Sequence, residues 1–260
     1  MKKFLMAALG GTLAATWERA ARGETGFRRL TRCSVDSRSN IVGEIPDWSP
    51  QEYDFVDKKA AGNWNAAFVF LTMALCRQAL SHAGLAIDDI TGPRTACLIG
   101  SALNGTDAFR VAMDNFTNYG PTKVSPYLLP NLCANVPAGK AGMLKGFTGP
   151  IFSPQGACAS GNHAIGIGAR MIRDGDCDFA LVGGVDTALI PEIIQGFANM
   201  LATISIGPKD RAFQDPGINA EILGDILGHQ DGIGGDSVSQ KGIQLLDIGC
   251  GQEAAIAVGA

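Results

Sequence analysis

The sequence predicts an α/β fold built on a largely parallel sheet. Three observations point there. Residues 151–182 read as strand, helix and strand joined by short turns, which is a βαβ unit. Two short apolar runs, 95–99 and 179–182, each lead into glycine, as strands buried on both faces do. Apolar residues recur at helical spacing in the segments between and before them.

In chain order, residues 12–22 form an amphipathic helix stopped at Gly23. A polar, proline-containing stretch occupies 25–53. A long helix is expected over 58–83, where Phe68, Leu71, Leu75 and Ala79 keep helical spacing and Gly84 supplies the stop. Residues 95–99 form a buried strand, 107–118 a helix, and 131–145 a weaker helix broken by Pro137. Ile151-Phe152-Ser153 opens a strand that runs into Gly156-Ala157-Cys158. The helix that follows spans 158–173 and ends at Asp174-Gly175-Asp176. Residues 179–182 are again a buried strand, closed by Gly183-Gly184. After about Phe213 the chain turns Gly-rich, with 221–223 and 243–246 as short strands. This suggests a domain over 1–213 and a divergent tail over 214–260.

Composition excludes several classes. The chain has 260 residues, 46% hydrophobic and 18% charged, which is enough to build a large core and too apolar for a disordered chain. Lys and Arg (21) are fewer than Asp and Glu (25), so a strongly basic nucleic-acid binder is excluded. Gly is abundant at 34 residues but not periodic, which excludes collagen. The longest apolar run, 66–76, falls short of the ~18 residues that a membrane span needs. The seven cysteines are odd in number, widely spread and lack a Cys-x-x-Cys pair. A reducing, cytoplasmic setting is therefore expected, and a zinc or thioredoxin-like motif is not. Met1-Lys2-Lys3 and the apolar residues after it imitate a signal peptide, but they run directly into the helix over 12–22.

Gly156-Ala157-Cys158-Ala159-Ser160-Gly161 stands where a strand meets a helix. Small neighbours permit a crowded, sharp turn that exposes one side chain. Here that side chain is a thiol at a helix N-terminus, where unpaired N–H groups and the helix dipole favour a thiolate. The same N–H groups suit the oxyanion of an attacked thioester, so the chemistry implied is acyl transfer through a covalent thioester. A small residue packed in a tight turn is the plainer alternative. His163 lies five residues on, about 500° around an ideal helix and hence about 140° away from Cys158, which favours packing over direct pairing. His82 reads as a cap at a helix end, and His229 is a remote candidate base. Gly166, Gly168 and Ala169 suggest close helix packing. Leu246-Asp247-Ile248-Gly249-Cys250-Gly251 is similar to the first motif of S-adenosylmethionine-dependent methyltransferases, but Glu253 stands where small residues are normal and no cofactor domain follows. Neither a cofactor nor a metal is implied.

The segment from Gly156 to Gly166 resembles the active-site elbow of the chain-elongating β-ketoacyl-acyl-carrier-protein synthases. Ser125-Pro126-Tyr127-Leu128-Leu129-Pro130, Ile172-Arg173-Asp174-Gly175-Asp176, Val182-Gly183-Gly184 and Gly196-Phe197-Ala198-Asn199-Met200 are similar to further stretches of that family. The likeness covers about 9–213. It implies the N-terminal half of a thiolase-like fold, a mixed, mostly parallel sheet with helices on both faces. It also implies that Cys158 accepts an acyl chain from an acyl carrier protein, and that malonyl carrier protein is then decarboxylated and condensed with it. Leu103 and Leu128 match positions lining the family's acyl pocket. The family is dimeric, so a homodimer, or a heterodimer with a related subunit, is expected. Arg28, Arg29 and Arg32 are candidates for carrier docking, with a solvated loop as the alternative.

The departures set further expectations. Leu9-Gly10 matches the end of the family's opening segment, so the sheet is expected to lack its usual first strand. The likeness fades after Arg211-Ala212-Phe213. The family's two decarboxylation histidines, a lysine and a second oxyanion donor have no counterpart, and none of His82, His163 or His229 sits in a matching motif. The chain alone is therefore expected to be impaired in condensation. The alternative is a non-catalytic assembly subunit or a truncated remnant.

Overall fold

The computed structural model describes residues 2–6, 12–35, 40–45, 66–85, 90–187, 189–200 and 254–259. The expected strands at 221–223 and 243–246, the Gly-rich motif at 246–251, His229 and the start of the long helix at 58–65 lie outside the described residues.

The fold is organised by β4 (Thr95–Gly100), whose six residues are all buried. It pairs in parallel with β5 (Ile151–Phe152) on one side and with β6 (Phe179–Val185) on the other. The strand–helix–strand unit seen in the sequence therefore crosses over β4, and its two strands are not neighbours. Beyond β6 the sheet turns antiparallel, through β7 (Ala254–Gly259) to β1 (Lys2–Met6), giving the order β1-β7-β6-β4-β5. The mixed, mostly parallel sheet is as expected. The missing first strand is not: Lys2–Met6 pairs from Lys2↔Val258 to Met6↔Ala254 at the sheet edge. That pairing needs a partner some 250 residues away, which local pattern cannot reveal. β7 brings the end of the tail into the same sheet.

Both faces of β4 are covered, and its alternation divides the core. Cys97 and Ile99 pack with α2 (Ala67–Ala83) and α5 (Val136–Lys145), together with Leu181 and Val185 of β6. Ala96 and Leu98 pack with Ala180, Val182 and Ala164 under α6 (Ser160–Arg173). In α2 the residues Phe68, Leu71, Leu75 and Ala79 are fully buried, and Gly84 stops the helix in the left-handed region at φ 65°. Ala66, at its start, offers no side chain to cap its first N–H groups. The Ala67 N–H instead donates to Asp107 Oδ2 at 2.9 Å, from the first turn of α3 (Thr106–Tyr119). Burial raises the Asp107 carboxyl above its ordinary range, against the pull of these N–H groups.

The remaining elements are local. α1 (Leu13–Ala21) starts at Thr12, whose hydroxyl accepts the Ala15 N–H. The polar stretch after it contains a two-stranded ribbon, β2 (Phe27–Arg29) with β3 (Ile41–Gly43). Beside the ribbon, the buried Glu44 accepts the Thr31 N–H and hydroxyl and the Arg32 N–H. Pro137 does not break a helix; α4 (Leu128–Leu132) ends before it, and Pro137 occupies the first turn of α5, where its missing N–H costs nothing. β6 runs through Gly183 and Gly184 to Val185 rather than closing there. α7 (Pro191–Asn199) follows. No described helix is long and apolar enough to cross a membrane.

Leu98 is fully buried on the central strand. Leu98→Ala is expected to lower unfolding stability by about 2–5 kcal/mol, read from urea midpoints at constant m-value. A change within error would show that this strand is not the structural centre.

Candidate active site at the strand ends

β4, β5 and β6 are parallel, so their C-terminal ends lie along one edge, and the loops leaving them form one surface. α6 is drawn unusually close to that edge. A Cβ on Gly184 would stand 2.9 Å from the Gly161 Cα, and one on Gly100 would overlap the Ser160 backbone. The glycines at the ends of β4 and β6 thus admit the first turn of α6 onto the sheet. Ser160 is buried there, and its hydroxyl locks the turn before it: it accepts the Gly156 N–H at 2.9 Å and donates to the Ala157 carbonyl at 2.7 Å.

Between strand and helix the backbone makes a 3₁₀ turn, Ala157–Ala159, closed by the Ala159 N–H on the Gly156 carbonyl at 3.0 Å. Ala157 takes φ 50°, a left-handed conformation that is uncommon for a residue with a Cβ. Cys158 follows it and is exposed. The helix thus begins at Ser160, two residues later than the sequence suggests, because the 3₁₀ turn uses up the start of the apparent helical pattern. The thiol stands on a strained turn just ahead of the N-terminal end of α6, an arrangement suited to nucleophilic attack.

The other cysteines are placed differently. Cys76, Cys97 and Cys177 are buried. Burial raises the Cys97 and Cys177 thiols, in keeping with small hydrophobes packed in the core. Cys133 is exposed, but its Sγ lies 3.3 Å from the Leu129 carbonyl. Cys33 is half-buried, its thiol raised by burial and by the nearby Glu44. Its Sγ–H points to the Leu189 carbonyl at 3.7 Å, which brings the loop after β2 toward the end of β6. Arg32 near that loop donates to the Ile45 carbonyl at 3.1 Å.

His163 is exposed, and its imidazole lies over Gly156, where a Cβ would overlap the ring. His82 falls in the last turn of α2. Leu103 is half-buried in the loop after β4. Leu128 opens α4 and lines a shallow depression with Ala108, Val111, Ala112, Asn115 and Ser125. Leu103 is not part of that lining, so the two leucines do not share one described depression.

Asp186, which no sequence motif marks, also belongs to this edge. It directly follows β6, and its carboxylate accepts the Ala102 N–H, the Leu103 N–H and the Ser101 hydroxyl. Burial raises this carboxyl, while those three donors pull it down. The available signal was a lone acid closing a buried apolar strand, a position where an unpaired charge is costly.

The β-ketoacyl synthase N-terminal domain matches residues 6–228. The chain belongs to the β-ketoacyl synthase family. It is 30% identical over 191 residues to 3-oxoacyl-[acyl-carrier-protein] synthase 2 of Staphylococcus aureus strain N315, covering 73% of this chain and 45% of that protein. The fold is shared with a crystal structure of a β-ketoacyl synthase from Burkholderia phymatum STM815, with TM-score 0.71, 20% identity, and coverage of 98% of this chain and 57% of the other. It is also shared with a type II polyketide synthase acyl-carrier protein in complex with its ketosynthase bound to the hexaketide, with TM-score 0.69, 17% identity, and coverage of 98% and 56%. The chain therefore spans about half the length of these relatives. The thiolase-like half expected from the elbow is the fold observed.

The contact of His163 with Gly156 makes a measurable claim. Gly156→Ala is expected to destabilise the chain by about 1–3 kcal/mol and to slow iodoacetamide labelling of the Cys158 peptide, read by mass spectrometry. Combining it with His163→Ala should recover much of both losses. Additive effects in the double-mutant cycle would show that the ring does not bear on the turn.

Proposed function

We propose that the chain is an acyltransferase of the β-ketoacyl synthase type, taking an acyl chain from an acyl carrier protein onto Cys158. The carrying observation is the exposed thiol on the left-handed turn ahead of α6. The Cys158 thiolate attacks the thioester carbonyl, and the tetrahedral oxyanion forms within reach of backbone N–H groups at the turn. Collapse expels the carrier's thiolate, which takes up a proton, and leaves the acyl group as a thioester on Sγ. In this reading the acyl-enzyme is then condensed with a malonyl carrier thioester, releasing carbon dioxide. The groups that the family resemblance implies for decarboxylation have no match in this sequence. The acyl-transfer half is therefore the step assigned to these residues, in fatty-acid or polyketide synthesis within the cytoplasm.

Incubation with an acyl carrier protein charged with a saturated acyl group tests this reading. Wild type is expected to gain the acyl mass on the Cys158 peptide, and Cys158→Ala to gain none. Indistinguishable behaviour of the two proteins would overturn it.

A subunit contact belongs to the same reading. Phe109, Met113 and Phe116 recur at helical spacing along α3 and are about half exposed, at 48%, 46% and 50%. Leu129 of the adjoining α4 is 71% exposed. An apolar stripe of this kind suits burial against a second copy or a related subunit. Phe109→Asp with Phe116→Asp is expected to yield monomer in sedimentation, where wild type sediments as a dimer. A monomeric wild type would remove this contact from the proposal.

A further inference from the structure

We propose that Asp186 is a positioning residue that fixes the loop after β4 and so sets which acyl chains reach Cys158; this rests on the acyl-transfer reading above. Asp186 Oδ2 accepts the Ala102 N–H at 2.9 Å. Its Oδ1 accepts the Leu103 N–H at 2.9 Å and the Ser101 hydroxyl at 3.0 Å. The Ser101 hydroxyl oxygen in turn accepts the Asn104 N–H at 3.0 Å. Three consecutive residues thus bond directly to one carboxylate just past the end of the neighbouring strand, and a fourth follows through Ser101. The far end of the loop is held as firmly: Asn104 turns left-handed at φ 54°, and Gly105 lies so close to the Asn131 carbonyl that a Cβ would overlap it.

The loop's position gives this anchoring its consequence. Gly100, the last residue of β4, pairs with Gly184 and packs against Ser160, which locks the turn carrying Cys158. The loop therefore starts at the elbow and extends along the same edge of the sheet. Leu103 is its half-buried apolar side chain, and its N–H is one of the three groups that Asp186 holds. A shift of the loop moves Leu103 relative to the turn without touching the thiol. A carboxylate fits this role because it offers only acceptors. Asparagine would turn an N–H donor toward one of three donors, and the loop would have to move. No contact to a reacting atom is involved, so Asp186 acts through the loop.

The experiment compares acylation of Cys158 by carrier proteins bearing short, medium and long saturated chains, in wild type, Asp186→Asn, Ser101→Ala and Leu103→Ala. Iodoacetamide labelling of Cys158 is followed in the same samples. Asp186→Asn is expected to change the long-to-short rate ratio by about tenfold, the scale on which apolar pockets discriminate chain length. Leu103→Ala should move the ratio in the same direction, with labelling unaffected in Asp186→Asn. Ser101→Ala, which removes one of the three donors, should do so to a smaller extent and decides the matter if Asp186→Asn fails to fold. Equal slowing at all chain lengths, or an unchanged ratio, overturns the proposal while leaving acyl transfer intact. Absence of acylation in wild type overturns both.

Discussion

The site depends on how closely one helix can approach the end of a sheet. The first turn of α6 rests on Gly100 and Gly184, and Gly161 meets Gly184 backbone to backbone. A Cβ at Gly100 or Gly184 would hold the helix off, and the 3₁₀ turn before it would lose its footing. With the helix seated, Ser160 is buried and its hydroxyl bridges Gly156 and Ala157, which holds Ala157 in a conformation it would not otherwise keep. The exposed thiol is the outcome of that packing and is not a local preference of the sequence around it.

The same edge explains why polar groups gather there. Strand ends must satisfy their backbone groups, and loops that leave a parallel sheet have no ladder to do it. Asp186 supplies acceptors for the loop after β4, Ser160 for the turn after β5, and Asp107 for the opening of α2. Burial works against the two carboxylates and raises both. That cost is tolerated because each accepts from two backbone N–H groups at once. The surface that presents Cys158 is therefore stiffened by side chains whose own chemistry is not used.

Much of this was legible in the residues. The βαβ unit, the burial of β4 and the helical face of α2 follow from runs and spacings that one element contains by itself. The elbow could be located because Gly156–Gly166 resembles the family's active-site turn; its small residues alone fit a packed structural cysteine more readily. Asp186 was not legible, because its partners lie more than eighty residues away in the sequence. Pro137 differs from the sequence expectation for a related reason: a proline inside an apparent helix and one that opens a second helix look alike until the break before it is placed.

The α/β class and the chain order of the central elements are readable from residue spacing, since each is set within a short stretch of chain, and the resemblance of Gly156–Gly166 to the family's elbow names the candidate nucleophile. Spacing cannot carry the rest: Lys2–Met6 and Ala254–Gly259 join one sheet, β5 and β6 flank β4, and a carboxylate just past the end of β6 grips the loop after β4. These are non-local pairings. Their free energy comes from surfaces that meet only after the chain has closed large loops, so no local spacing encodes them.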